Sequence, residues 1–279
     1  MADSPVVYCV IPVHNRRELT KRCLGYLRAQ DYASLQIIIV DDGSDDGTGE
    51  YLEKCGFSNL TVLTGNGELW WGGAMHMGIA HTVKIAKETD YLLMLNDDVR
   101  LESTFISTLI KESIFHNKAI IGSCQRDEIN GMQLGSGYVI DYFRMRINAL
   151  NIRSEFELVD ALPARGALFP MRAVMSAGNI YKIIFPHYLG DLEYSARMHE
   201  IGWKVIASRN VSVYTSSESS DEKIRSQGLF NKILSFRSKN NIFNRLWFFS
   251  LRGPLLLRIW AVPRYFIFGV WRAFMRIDV

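Results

Sequence analysis

No stretch of about eighteen consecutive apolar residues, the length a bilayer-spanning helix needs, occurs in the sequence. Cysteine is scarce. Cys9, Cys23, Cys55 and Cys124 form no CxxC or other metal-ligand spacing, which excludes a zinc-ribbon type of site; most sit in apolar patterns, as buried free thiols in a reducing compartment do. Internal repeats and low-complexity tracts are missing, so a solenoid is excluded. A charged-then-apolar leader is missing too, since Met-Ala-Asp-Ser-Pro runs directly into a strand pattern. Nor does one sign of charge dominate: 32 Lys/Arg face 29 Asp/Glu, a net +3, which predicts no nucleic-acid partner. These absences predict a cytoplasmic protein.

What the chain has is a core. Its 279 residues are 48% hydrophobic, enough for one large α/β domain with or without an appendage, and disorder is not the default. The charge is unevenly placed. From Ser235 onward eight Lys/Arg face one acid, Asp278, a local charge of +7 that leaves −4 for the rest. A mildly acidic body with a basic, aromatic tail predicts an anionic surface as the tail's partner.

Short apolar runs predict strands at 6–11, 36–40, 60–63 and 91–95, with Pro12 ending the first. Amphipathic helices separate them. The first follows a capping arrangement of Asn15 and Glu18 and buries Leu19, Cys23, Leu24 and Leu27; the second runs through Tyr51 and Leu52; the third spans 74–87 after a loop at 65–73. Further on, strands are expected at 137–140, 158–161, 205–207 and 211–214, and helices at 172–177 and 189–201. Strands buried on both faces and separated by helices imply a parallel sheet with right-handed crossovers, which binds ligands at the strands' carboxyl ends. The polar clusters His14-Asn15, Asp41-Asp42 and Asn96-Asp97-Asp98 all fall at such ends.

Adjacent carboxylates after a hydrophobic strand repel each other unless a cation or hydrogen bonds compensate. Asp97-Asp98 therefore suits a hard divalent cation, Mg2+ or Mn2+, which takes oxygen ligands and keeps several waters; a plain strand-to-helix turn capped by Asp is the structural alternative. Asp41-Asp42-Gly43-Ser44 equally fits a common Asp-Gly turn. A third cluster, Gly190-Asp191-Leu192-Glu193, opens a predicted helix. A carboxylate in a helix's first turn can take the proton of an attacking hydroxyl, and Asp191 is the candidate for such a general base. Glu193 and Arg197, spaced i,i+4, read as a surface ion pair.

Ile11-Pro12-Val13-His14-Asn15-Arg16, Val40-Asp41-Asp42-Gly43-Ser44 and Leu95-Asn96-Asp97-Asp98-Val99 together resemble the opening blocks of family 2 glycosyltransferases. Leu69-Trp70-Trp71-Gly72-Gly73-Ala74 and Phe185-Pro186-His187-Tyr188-Leu189-Gly190-Asp191, with Arg197 and Gly202-Trp203, resemble a bacterial surface-polysaccharide subset, some of it rhamnosyltransferase-like. The resemblance covers about residues 6–214 and implies the GT-A fold, a mixed, mostly parallel sheet flanked by helices. It implies that backbone at Pro12 and Val13 and the His14 ring, with Asn15, hold the base, that Asp41 accepts the base N–H, and that Asn96 and Asp97 lie by the ribose or diphosphate. It further implies Asp98 as metal ligand, Trp71 and Arg165 lining the donor site, and Asp191 as the base. Three positions depart from the family pattern: Asn96 opens the metal triplet in place of Asp, His76 stands where many relatives have Asn, and Tyr214-Thr215-Ser216 replaces a metal-binding His. Of Trp70 and Trp71, one is expected buried and one lining the site.

The expected organisation is a catalytic domain at 1–215, with a nucleotide-binding half to 100 and an acceptor half beyond it, a linker at 216–243 and basic aromatic helices at 244–279. In the last helix Arg264, Arg272 and Arg276 lie opposite Phe266, Ile267, Val270, Trp271 and Phe274, which suits the headgroup layer of a membrane. Packing on the catalytic domain or a homodimer are the alternatives. The functional expectation is an inverting, peripheral enzyme of the cytoplasmic membrane face. It would use a UDP- or dTDP-linked sugar and a glycan or polyprenyl-diphosphate-linked acceptor. A catalytically inactive partner of the same fold, or a nucleotidyltransferase, are rival readings; the latter lacks its basic, glycine-rich loop after Ile11.

Overall fold

The apolar run Val7–Val13 forms β1, a central strand between two parallel neighbours, and its alternate residues join the apolar clusters on the two faces of the sheet. The computed structural model describes residues 4–215, 241–264 and 267. Leu35–Asp41 (β2), Leu60–Thr64 (β3) and Tyr91–Met94 (β4) complete a parallel block in the order β4-β1-β2-β3. Helices α1 (Arg17–Arg28), α2 (Thr48–Lys54) and α3 (Trp70–Ile85) make the crossovers. The α1 stripe is Thr20, Cys23, Leu24 and Leu27, with Leu19 half-buried.

Beyond β4 the sheet becomes mixed. Val99–Leu101 (β5) and α4 (Phe105–Phe115) precede Ile120–Asp127 (β6), Gln133–Gly135 (β7), the hairpin Gly137–Asp141 (β8) and Arg146–Leu150 (β9), and Phe156–Leu158 (β10). Ala167–Pro170 (β11) runs antiparallel between β4 and β6. Then come α5 (Met171–Ala177), α6 (Gly190–Glu200) and the long Val205–Thr215 (β12), parallel to β6. After 216–240 come α7 (Ile242–Leu251) and α8 (Leu255–Ile259), with residues 261–264 helical beyond them. Two apolar clusters line the two faces of the sheet, and a third joins the hairpin, α6 and α7.

Several expectations are corrected. Pro12 does not end β1: it pairs with Val40 inside the strand, its missing N–H tolerated at that register. Asn15 and Glu18 form no capping box. Asn15 sits at φ 53° and its side chain accepts from Asp45 N, while Arg17 N donates to Asp46. Helix α3 begins at Trp70, within the expected loop. The strands expected at 205–207 and 211–214 are one strand with a register irregularity between Ser208 and Ser212. Helix α4 was not anticipated, although Phe105, Ile106, Leu109 and Ile110 have helical spacing and are buried.

The described C-terminal residues pack on the β8–β9 hairpin and α6. Phe248 and Phe249 are buried with Phe185, Leu192 and Ala196, and Arg264 Nη1 donates to the Tyr142 carbonyl. Arg252 and Arg258 pair with Glu200. Arg252, Arg258 and Arg264 thus bond to protein groups, while Leu255, Leu256, Ile259 and Trp260 are exposed. Arg272, Arg276 and most of the last helix lie outside the described residues.

Candidate active site

The carboxyl ends of β1, β2 and β4 lie side by side, so His14-Asn15, Asp41-Asp42 and Asn96-Asp97-Asp98 share one edge of the sheet. Asp42, to which the sequence assigned no separate role, organises this edge. It is buried, and its carboxylate accepts from Gly67 N at 2.8 Å, Leu69 N at 2.9 Å and Trp70 N at 3.0 Å. A charged acceptor facing three backbone donors explains how the 65–69 loop folds back and how Trp70 holds a φ of 57°. The carbonyl of Asp42 accepts from His14 Nδ1 at 2.7 Å, which orients that exposed ring. Asp41 Oδ1 accepts from Ser44 N at 3.0 Å, leaving Oδ2 for other use. The Val13 carbonyl accepts from Asp42 N at 2.9 Å. Asn15 holds Ser44 and Asp45 rather than standing open.

Asp97 and Asp98 are buried together and share Arg16, whose Nη1 is 3.0 Å from Asp97 and 3.8 Å from Asp98. Burial pushes the Asp97 carboxyl up to about 6; Arg16 opposes the rise and the Asp98 charge adds to it. The sequence did not single out Arg16, though an arginine closing the first motif was a visible signal. Arg165 Nη2 reaches Asp98 Oδ2 at 3.2 Å. Topology explains this: β11 pairs antiparallel with β4, Ala167 opposite Met94, so the two residues before β11, Arg165 and Gly166, arrive at the end of β4. Gly166 makes the approach possible at φ +80°, where an added Cβ would stand 2.5 Å from Ser123 Oγ and 2.8 Å from Val213.

Asp191 joins this group through the same segment. Its Oδ2 accepts from Ala164 N at 3.0 Å and its Oδ1 from Leu192 N at 2.9 Å. Burial raises its carboxyl, and those backbone donors and then Arg165 oppose the rise. Tyr138, from the hairpin, feels both Asp191 and Arg165. A second bridge runs through Trp71, whose Nε1 donates to Asn96 Oδ1 at 3.2 Å; its ring is 3.4 Å from the Cβ position of Gly190. Trp70 and Trp71 are both half-buried, so the expected division between them is not found. Trp70 meets His187 edge-on. His76 faces away, bonded to the Ile180 carbonyl. Glu193 is corrected: it is fully buried, with Arg197 and Arg252 as its cations.

Asp97 and Asp98 fit a hard divalent cation. Both present only carboxylate oxygens, and Asp97 Oδ2 is buried without a hydrogen-bond partner among the described residues. No group of three or more His, Cys, Asp or Glu that could hold a metal occurs among the described residues, so water and substrate oxygens would complete the shell.

A mixed sheet with carboxylates at its central strand ends, covered by helices on both faces, defines a GT-A nucleotide-diphospho-sugar transferase fold. Mannosyltransferase PcManGT from Pyrobaculum calidifontis, solved with GDP-Man and Mn2+, matches with TM-score 0.60 and 13% identity over 98% of this chain and 76% of its own. TarS of S. aureus matches with TM-score 0.60 and 13% identity over 94% of this chain and 54% of its own. At such identities the likeness is one of fold. The family model for Glycosyl transferase family 2 matches residues 8–175, more than half of the chain. The chain belongs to that family. Glycosyltransferase GlyG of Streptococcus pneumoniae is 28% identical over 111 residues, 39% of this chain and 35% of GlyG. Galactofuranosyltransferase GlfT1 of Mycolicibacterium smegmatis is 26% identical over 174 residues, 61% of this chain and 56% of GlfT1. The matched stretches thus span from about a third to just over half of these relatives' lengths.

Proposed function

We propose that the protein transfers a sugar, with inversion, from a UDP- or dTDP-linked donor to a glycan or polyprenyl-diphosphate-linked acceptor in bacterial surface-polysaccharide synthesis. We assign 1–215 to the catalytic domain and the C-terminal helices to the cytoplasmic membrane face. One observation carries the reading: Arg165 pairs with Asp98 at 3.2 Å and the N–H of its neighbour Ala164 donates to Asp191 at 3.0 Å, so residues 164–165 hold the cation-type pair and the candidate base at one end of the sheet. That is the arrangement a diphosphate leaving group and an attacking hydroxyl require. PcManGT, solved with GDP-Man and Mn2+, supports a nucleotide-diphosphate sugar as donor and a divalent metal; GlfT1, a galactofuranosyltransferase, supports a glycan role.

Asp98, beside Asp97, would hold Mg2+ or Mn2+, which supplies Lewis-acid stabilisation of the departing diphosphate. Asp41 Oδ2 accepts the imide N–H that uracil and thymine share, and the oriented His14 ring borders the base. Arg16 and Arg165, which lie against Asp97 and Asp98, would be the cations available to diphosphate oxygens. Asp191 takes the acceptor hydroxyl's proton as the oxygen attacks the anomeric carbon. Each of its oxygens accepts one backbone N–H, so a lone pair remains on each, and its raised pKa favours proton uptake. Trp71 offers an indole face beside it for a sugar ring.

The test is Asp191→Asn. Transfer should fall roughly 10²–10⁴-fold, the usual worth of a general base, while nucleotide diphosphate binding with Mn2+ persists. Unchanged turnover would remove Asp191 from the reaction. Absence of any donor hydrolysis or transfer in the wild type, across a sugar-nucleotide panel, would favour an inactive partner protein.

A further inference from the structure

The first turn of α6 carries Asp191 but has no side-chain cap of its own: Leu189, at the N-cap, sits at φ 66° and makes no capping hydrogen bond. Its position is set from behind. Glu193 is fully buried; one oxygen lies 3.2 Å from Arg197 Nη2 and the other 3.3 Å from Arg252 Nε. Arg197 is tied to the carbonyls of Ala177 at 2.8 Å and Asn179 at 2.9 Å, and lies over the Tyr181 ring. Arg252, at the end of α7, also binds Glu200 at 2.9 Å, and Glu200 accepts from Gly253 N and faces Arg258. The helix is therefore gripped from two sides, the 177–181 segment and the C-terminal segment, and both grips meet at the Glu193 carboxylate.

A buried ionic cluster is a poor source of stability, since apolar residues of equal volume often serve as well or better. What it offers is one allowed arrangement. Glu193 Oε1 and Arg252 Nε are both buried and neither makes an aligned hydrogen bond. Their contact is held by charge at short range, so it depends on where the C-terminal segment is seated.

We infer that Glu193 and Arg252 are positioning residues: they transmit the seat of the C-terminal segment to the first turn of α6 and so fix the Asp191 carboxylate. The inference rests on Asp191 being the base. On the full chain, Arg252→Met lowers kcat roughly 10- to 100-fold, the size expected for a misplaced catalytic group. The Kd for UDP or dTDP with Mn2+ stays within about twofold of wild type, because the interaction lost is one made in the transition state. Arg252→Lys, which keeps the charge, restores most of kcat. The double variant Glu193→Gln/Arg252→Met removes both charges of that contact, leaves Arg197 its bonds to the Ala177 and Asn179 carbonyls, folds, and shows the same loss of kcat. Amide exchange over 189–193 accelerates in Arg252→Met while β1, β2 and β4 keep their protection. An unchanged kcat, a parallel loss of nucleotide affinity, or a Lys variant as poor as Met would overturn the inference. If the wild type turns over no donor, the transferase reading fails separately, and exchange decides: unchanged rates over 189–193 in Arg252→Met overturn the coupling.

Discussion

Above neutral pH, Asp97 keeps an ionised carboxylate almost wholly buried, with Arg16 3.0 Å away as its cation. Its folded pKa, about 6, lies above the ordinary 3.8, so ionisation opposes folding. The penalty is absent below the lower value, grows as pH rises between the two, and is complete above the higher one. Two pKa units correspond to about 3 kcal/mol as an upper figure. Asp97→Asn should therefore raise the melting temperature of the metal-free protein by about 5 °C or more near pH 8. The gain should vanish as pH falls towards 4. A gap independent of pH, or a variant less stable throughout, would contradict the burial argument. The residues that follow apolar strands, Asp41, Asp97 and Asp98, were legible because a strand end is a readable place. Asp42 and Glu193 were not. An Asp-Gly turn looks alike whether its carboxylate faces solvent or three backbone donors, and an i,i+4 Glu-Arg pair looks alike on an exposed helix and a buried one. What distinguishes them is a partner supplied by distant chain.

Elements show the same division. The parallel block β4-β1-β2-β3 followed from alternating apolar runs and amphipathic spacing. Strand β11 did not, because four residues between a loop and a helix carry no period, and yet its antiparallel pairing delivers Arg165 to Asp98. Helix α3 began earlier than its glycines suggested, since Gly72 and Gly73 serve close packing rather than a loop. Gly72 N donates to the Pro186 carbonyl at 2.7 Å, and a Cβ there would stand 2.2 Å from the Phe185 carbonyl. Both atoms across that contact are backbone and cannot swing away. Gly72→Ala should therefore push α3 from the 185–190 segment that leads into Asp191. The expected loss is about 1–3 kcal/mol of stability, together with most of the turnover. Gly25→Ala is the matched control: exposed in α1, with nothing within 4 Å of its Cβ position, it should gain up to about 1 kcal/mol. Chemical denaturation of the two variants checks both, and equal effects would mean that helix propensity alone governs these positions.

At the scale of the whole molecule, one face of the C-terminal segment is satisfied and the other is not. Phe248, Phe249 and Ala261 are buried and the arginines turn inward, whereas Leu255, Leu256, Ile259 and Trp260 are 70%, 75%, 67% and 61% exposed. No helix among the described residues is long and apolar enough to cross a membrane, so such a face would lie along an interface rather than span it. A basic tail beyond it, with Arg272 and Arg276 against the single acid Asp278, adds attraction to anionic headgroups. Burying a Leu or Trp side chain is worth about 1.5–3 kcal/mol. Removing two of them, in Leu256→Ser/Trp260→Ser, should lower partitioning onto phosphatidylglycerol-containing vesicles by more than about tenfold. Melting temperature and donor hydrolysis should stay as in the wild type, because both side chains are already in water. Neutral vesicles should bind less than anionic ones, and high salt should narrow the difference. Sedimentation of the wild type at rising concentration supplies the competing outcome. A dimer that the double variant dissolves, with no binding to vesicles by either protein, would assign this face to a second copy of the chain and end the membrane reading.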